Sequence, residues 1–349
     1  MAKKKAIFVR RTSKLISDLN KDIIHTILPY LNSTALIIYL TIVKRYYTNI
    51  IPPNYAFILH KPTLASRIST FTDITRLRLS FMNEDVLAIS NLTNLQELVI
   101  KQNKSIYIDI LDEIGTLSKL QRLALSGLKD ITYLSNLTNL TYLDISNDEL
   151  PGSHLSYLSK LTKLTALCIS GMDLEDYDML EFKHFPLLQE LDISYCRMDD
   201  ESLKSISQIT TLTRLVINSP IYHGPYDDGH DSAPRDLNFL LPLSRLTSLS
   251  IRDFKIKDQD LVILTTFSLT VLDISCCKNI TTEGLQWIGK LTTLTMLSLA
   301  QCNITGVHYL KDLTNCIQLD ISNCKIGPEA IKEIFSSCRI GTIRYFSTF

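Results

Sequence analysis

One phrase, L-x-x-L-x-L with occasional isoleucine or cysteine in place of leucine, recurs twelve times between Ile74 and the C-terminal end of this sequence. Its central apolar residue falls at Leu77, Leu98, Leu123, Leu143, Leu167, Leu191, Leu215, Leu249, Leu272, Leu297, Leu319 and Ile343. The gaps are 21, 25, 20, 24, 24, 24, 34, 23, 25, 22 and 24 residues, a period near 24 with one interval about ten residues too long. A repeat of that length is one supersecondary unit that cannot bury its own apolar face, so the units must stack into a quasi-one-dimensional array. Such a chain grows by addition of units, and its length does not require division into globular domains.

Residues 137–146, LTNLTYLDIS, show how one unit works. Leu143 and Ile145 alternate with Tyr142, Asp144 and Ser146, which predicts a strand with one buried and one exposed face. The chain then turns and returns on the other side. Asp200 is placed to cap a helix over 201–208 carrying Leu203, Ile206 and Ile209 on one stripe, and Thr282 to cap a segment carrying Leu285 and Ile288. Pro328 suits the first turn of a helix carrying Ile331, Ile334 and Phe335. Strands on a concave inner face and helices or tight turns outside are therefore expected.

Thirty-six basic and thirty-six acidic residues cancel. No global field then argues for nucleic acid or an anionic membrane surface. The longest apolar run of the N-terminal region, residues 36–43, broken only by Thr41, is far short of the ~20 residues that span a bilayer, and the start MAKKKAIFVRR has too few apolar residues for a secretory core. Residues 1–14 read as a basic tail. Four of the eight cysteines, Cys196, Cys277, Cys302 and Cys324, occupy the same place in their repeats. Stacked ~4.8 Å apart, the last three would risk random cross-linking in an oxidising compartment, whereas as thiols each is a small buried hydrophobe with a weak donor for the turn backbone. A reducing cytosol is expected on this ground. No histidine is interleaved, so a metal ladder is not.

At residues 272–288, LDISCCKNITTEGLQWI, the chain resembles the cysteine-containing subclass of leucine-rich repeats, and LDISYCRM (191–198) and LDISNCKI (319–326) fit the same pattern. The resemblance implies an α/β leucine-rich repeat solenoid, a curved horseshoe with parallel strands inside, over residues 56–349. Residues 15–55 have a different texture, with Ile23, Ile24, Ile27, Leu28 and Leu31 at helical spacing. On the residues alone they form two or three short helices that cap the first repeat. They are also similar to an F-box, whose pattern L-P-x-E-I-L, I-F-x-Y-L, Leu, V-C-K-x-W is met here by Leu19, Asp22, Ile23 and Ile24, then Ile27, Leu28, Tyr30 and Leu31, then Leu36, Val43, Lys44 and Arg45. Asn20 replaces the proline, Ala35 the acidic residue, and Tyr46 and Tyr47 the tryptophan; Pro29 shortens or kinks the first helix. The resemblance implies a substrate receptor of a Skp-cullin-F-box ubiquitin ligase, with Leu19, Ile23, Ile27, Leu31 and Leu36 facing the Skp-type adaptor and the repeats holding the protein to be ubiquitylated. The alternative is a scaffold or inhibitor whose N-terminal helices only cap the array. The abundance of Ile, Lys and Asn also suits an effector of an intracellular pathogen acting in a host cytosol.

Strand positions on the concave face run from basic (Arg76, Arg78, Lys101 and Arg122, with Glu97 among them) through acidic and aromatic (Tyr142, Asp144, Glu190, Asp192, Tyr195) to mixed (Arg214, Arg252, Asp273, Asp320, Arg344). Aromatic residues and arginine carry most hot spots, so Arg76, Arg78, Tyr142, Glu190, Tyr195, Arg214 and Arg252 are the partner-binding candidates. The long interval, residues 218–237, is a Gly- and Pro-containing loop without apolar periodicity. It reads either as a contact arm carrying Tyr222, His223 and Tyr226 or as a plain surface insertion; the further spacing of Asp227, Asp228 and His230 matches no strong metal motif. No P-loop, G-x-S-x-G, H-E-x-x-H or C-x-x-C occurs. Cys168 and Cys276 point to the concave face with no histidine placed to activate them. The last strand leaves six residues behind it. The chain is expected to be a non-enzymatic binder that uses no cofactor.

Overall fold

The computed structural model describes residues 56–59, 74–79, 89–100, 108–146, 150, 152–172, 174, 178–196, 200–218, 236–327, 329–330, 332 and 342–344. They fall into two compact units, Met1–Leu140 and Thr141–Phe349. The F-box-like segment, the basic tail, Lys101 and the residues 219–235 of the long loop lie outside the described residues, as do Pro328, Ile331, Ile334 and Phe335; Glu329, Ala330 and Lys332 are α-helical, where a helix is expected after Pro328.

The first unit holds four parallel strands, β1 (Ala56–Leu59), β2 (Arg76–Leu79), β3 (Glu97–Ile100) and β4 (Arg122–Leu125). Leu77, Leu98 and Leu123 stand in register, and each is fully buried. β1 is an addition to the twelve-copy reading: Phe57 takes the register place of the central leucine, opposite Leu77. Asn54 stands where the first leucine of the phrase belongs, which hides this copy from the pattern.

Nine parallel strands run through the second unit: β5 (Tyr142–Asp144), β6 (Ala166–Cys168), β7 (Glu190–Asp192), β8 (Arg214–Val216) and β9 (Ser248–Ser250), then β10 (Val271–Asp273), β11 (Met296–Ser298), β12 (Gln318–Asp320) and β13 (Thr342–Arg344). The central residues Leu143 to Ile343 align strand to strand without a slip. The long interval does not interrupt the ladder: Leu215 pairs with Leu249, and Thr247 and Ser248 donate their N–H groups to the Thr213 carbonyl at 2.8 and 3.0 Å. Just before the strands, Thr165, Thr270 and Thr295 each donate a hydroxyl to the carbonyl of the matching residue one repeat back, at 3.0 to 3.1 Å. Side chains thus reinforce the stacking that the buried leucines drive at ~1.5–3 kcal/mol each.

The return segments are helical, but mostly 3-10 rather than α. α1 (Ile108–Gly115), α2 (Asp200–Ser207) and α3 (Leu285–Ile288) are α-helices, and Glu329, Ala330 and Lys332 are also α-helical. Turns such as Thr132–Asn136, Gly152–Leu158 and Asp178–His184 are 3-10. About 24 residues must supply a strand, two corners and the return, and the longer rise of the 3-10 form covers that distance with fewer residues. Leu203 and Ile206 of α2 are buried as its stripe predicts. The cap before α3 is corrected by one residue. Thr281, not Thr282, is extended and accepts the Glu283 N–H, while its own hydroxyl donates to Asp258 at 2.6 Å. Thr282 instead accepts the Thr305 N–H of the next repeat at 2.9 Å.

The cysteine ladder is built as its spacing suggests. Cys196, Cys277, Cys302 and Cys324 are at most 4 % exposed, and each thiol donates to a main-chain carbonyl of the preceding repeat: Ile169 at 3.3, Ile251 at 3.4, Ile274 at 3.2 and Leu299 at 3.1 Å. Burial pushes the thiols of Cys277 and Cys324 up to about 12 and about 11. None of the seven described cysteines is in a disulfide. Among the described residues no helix is long and apolar enough to cross a membrane.

Candidate partner-binding face

Each strand turns one row of side chains into the core and one row outward. In the second unit the outward row carries Tyr142, Glu190 and Arg214 at the first strand position and Asp144, Asp192, Asp273 and Asp320 at the third. Glu190 and Arg214 are exposed, Tyr142 half-buried. Arg214 donates to the Ser248 hydroxyl at 3.3 Å, and Arg252 stands 3.9 Å from an Asp273 oxygen. Those residues therefore share one exposed face, as the alternation predicts. Tyr222, His223 and Tyr226 lie outside the described residues, and so do the adaptor-facing positions Leu19, Ile23, Ile27, Leu31 and Leu36.

The aspartates do more than the alternation implies. Asp144, Asp192, Asp273 and Asp320 each accept the backbone N–H of the serine two residues on, at 3.0 to 3.1 Å. Each is an Asx turn that bends the chain out of its strand. The strand-exit phrase D-x-S was the signal for this, and it was open to a purely surface reading. One residue past that serine position, four past the central leucine, the backbone turns left-handed at seven equivalent positions: Gly127, Gly171, Tyr195, Asp253, Cys276, Gln301 and Asn323, with φ between 58° and 86°. That conformation aims an N–H at the next repeat, as in Tyr195 to the Asn218 carbonyl at 2.7 Å and Cys276 to the Ala300 carbonyl at 2.7 Å. Only glycine takes it without a steric cost of ~1–2 kcal/mol. Tyr195 takes it and remains 49 % exposed, an aromatic ring held at the rim of the strand face.

Asn218, the first residue of the long interval, carries no sequence signal of a structural role. Its side chain donates to Ser194 Oγ at 3.0 Å and accepts from the Arg252 N–H at 2.9 Å and the Ser250 hydroxyl at 3.2 Å. It joins β7, β8 and β9 where the loop departs.

In the first unit one residue of the outward row is covered. Glu97, counted among the outward residues, is 5 % exposed. Arg76 donates to one of its oxygens through Nε at 2.9 Å and approaches the same oxygen through Nη2 at 2.8 Å, and Arg78 donates to the other through Nε at 3.1 and Nη2 at 2.9 Å. Two arginines on β2 fold over a carboxylate on β3 and shield it from water. Burial by itself raises the Glu97 carboxyl, but the hydrogen bonds and charges of Arg78 and Arg76 outweigh it and hold the group below its ordinary value.

Cys168 and Cys276 are half-buried. Burial, with the charges of Asp144 and Asp192 adding to it, pushes the Cys168 thiol up to about 12. At neutral pH it is a thiol and not a nucleophile.

The leucine-rich repeat family model matches residues 186–207 and 267–289, the stretches that contain the cysteines Cys196, Cys276 and Cys277. A search of curated proteins finds no match. Among solved structures, an internalin from Listeria monocytogenes is 22 % identical with a TM-score of 0.51, over 75 % of this chain and 78 % of that one. A leucine-rich repeat protein from Leptospira interrogans is 18 % identical with a TM-score of 0.38, over 78 % and 91 %. The ectodomain of a plant receptor kinase from Arabidopsis thaliana is 16 % identical with a TM-score of 0.43, over 84 % of this chain and 40 % of that one. The last two scores are too low to add to the assignment, which rests on the family match, the internalin and the in-register parallel ladder. The chain carries leucine-rich repeats and has the leucine-rich repeat fold.

Proposed function

We propose that the chain is a protein-binding substrate receptor: the outward strand face holds a target protein, and residues 15–55 dock on a Skp-type adaptor of a cullin-RING ubiquitin ligase. The observation that carries the reading is the face itself. Its charged and aromatic side chains, Glu190, Tyr195, Arg214 and Arg252 among them, stand on strands whose described central leucines are buried. A rigid row of hot-spot chemistry suits recognition of another macromolecule, since little side-chain support has to be ordered on binding. The adaptor half of the proposal is supported by the F-box pattern from Leu19 to Arg45 and by the cysteine-type repeats that follow it. The four buried thiols suit a reducing compartment, and the absence of an activated nucleophile in the sequence motifs suits a non-enzymatic role.

The test is capture of a purified Skp-type adaptor by the full chain, by a full-length Ile27→Asp/Leu31→Asp variant and by a chain lacking residues 1–55. Capture by the first alone is the expected result. A full chain that captures no adaptor would leave only the scaffold reading.

A further inference from the structure

The return side of the second unit carries the sole tryptophan of the sequence, Trp287, half-buried on α3. Lys290, three residues on, is exposed and lays its ammonium over the indole at 4.2 Å from the ring centroid. Tyr309 holds the matching place in the next return segment, the 3-10 turn His308–Leu310: each ring stands directly before a buried aliphatic residue, Ile288 or Leu310. Gly289 lets the Tyr309 backbone come against the end of α3, and the Tyr309 hydroxyl donates to Glu283 Oε2 at 3.2 Å. Glu283 is exposed and stands four residues before Trp287. A ring of one repeat, a ring of the next and a carboxylate bound to the second ring thus share one outer surface, with a cation already on the first.

Aromatic faces attract cations through their quadrupole, tryptophan most strongly, and aromatic rings grouped around a cation are the means by which alkylated ammonium groups are held. An unmodified ammonium has no advantage at this place. It is strongly hydrated, and Lys290 already supplies one from within the chain at the effective concentration of a tethered group. A trimethylammonium keeps the charge, sheds its water at lower cost and turns apolar methyl groups to the rings. We propose that Trp287, Tyr309 and Glu283 form a binding site for the trimethylammonium group of a methylated lysine on a protein partner, with Lys290 as the internal cation that the ligand displaces. The site lies on the return segments, so it goes beyond the strand-face reading and does not depend on it. Choline carries the same group, but in phosphocholine it is joined to a phosphate, which the Glu283 carboxylate repels; a lysine side chain brings only an alkyl stem.

The experiment titrates the full chain at fixed ionic strength with acetyl-Ala-Lys-Ala-amide, trimethylated or unmodified on its lysine, and with phosphocholine, and reads the emission of Trp287, the sole tryptophan. The trimethylated peptide is expected to shift the emission saturably and to bind at least about fivefold more tightly than the unmodified one, with phosphocholine weaker than the trimethylated peptide. Lys290→Ala removes the competing cation and tightens binding about threefold, and Glu283→Gln, which keeps an acceptor for Tyr309, weakens it about threefold with an unchanged thermal unfolding midpoint. No saturable shift, an equal response to the unmodified peptide, or a Lys290→Ala chain that binds no more tightly than the parent would each overturn the inference. Phosphocholine bound as tightly as the trimethylated peptide would overturn the assignment to a protein partner.

Discussion

Gly289 closes α3 where the next repeat comes close to its backbone. Its N–H donates to the Leu285 carbonyl at 2.8 Å, and its φ of −58° suits any residue, so nothing in the local backbone calls for glycine. A Cβ placed there would lie 2.0 Å from the Tyr309 carbonyl oxygen and 3.1 Å from its carbon. Ordinary contact begins above 3 Å, so the two backbones would have to part by roughly 1 Å. Rotation of a side chain cannot relieve the clash, because the obstacle is main chain in the 3-10 turn His308–Leu310. Moving that turn disturbs Ile288 and Leu310, which are 0 % and 1 % exposed. In a free helix Gly→Ala would gain up to ~1 kcal/mol; overpacking costs ~1–3 kcal/mol or more, and a contact this short belongs at the upper end. Gly289→Ala should therefore destabilise the chain by about 2 kcal/mol net. Urea unfolding followed by circular dichroism measures it, with Gly327→Ala as the control, since a Cβ there meets nothing within 4 Å and should change stability by less than ~0.5 kcal/mol. A Gly289→Ala protein as stable as the parent would refute the claim that adjacent repeats touch backbone to backbone here.

The Asx turns and the thiols yield two further predictions. Asp192→Asn keeps the oxygen that accepts the Ser194 N–H and should leave the urea midpoint nearly unchanged, whereas Asp192→Ala should cost ~1 kcal/mol; equal effects would mean that the turn does not depend on that bond. The thiols of Cys277 and Cys324, at about 12 and about 11 in the folded chain, titrate near 8.5 when unfolded. A group whose folded value is raised adds stability below its unfolded value and loses it as pH climbs through the folded one. Stability should therefore fall between about pH 9 and the folded values of about 11 to 12, less steeply in a Cys277→Ala variant, and iodoacetamide at pH 8 should label these thiols only after unfolding.

Much of the architecture was legible because the signals are local and repeated. The central leucines at a spacing near 24, the period-two alternation and the recurrent cysteine place the strands, the inner row and the buried thiols, since each unit has the same task of covering its neighbour. The copy at Phe57 is not legible: with an asparagine at Asn54 and an aromatic residue at the register place of the central leucine, it joins the ladder only by pairing with β2. The return segments were read as more α-helical than they are, because amphipathic spacing does not separate a short α-turn from a 3-10 turn, and the length left between corners decides.

At the candidate site the alternation correctly turned Glu190, Arg214 and Arg252 outward, because a strand offers only two faces. It assigned Glu97 outward by the same rule and missed its burial. The direction of a side chain follows from its own strand, but its exposure depends on what the neighbouring strand places over it, and Arg76 and Arg78 are about twenty residues away in sequence. By itself, then, the sequence determined a stack of leucine-rich repeats with an outward polar row. Tertiary structure alone decided which charges of that row meet, that two arginines close over one carboxylate, and that a glycine must stand against Tyr309, because these are contacts between repeats whose identity no single repeat encodes.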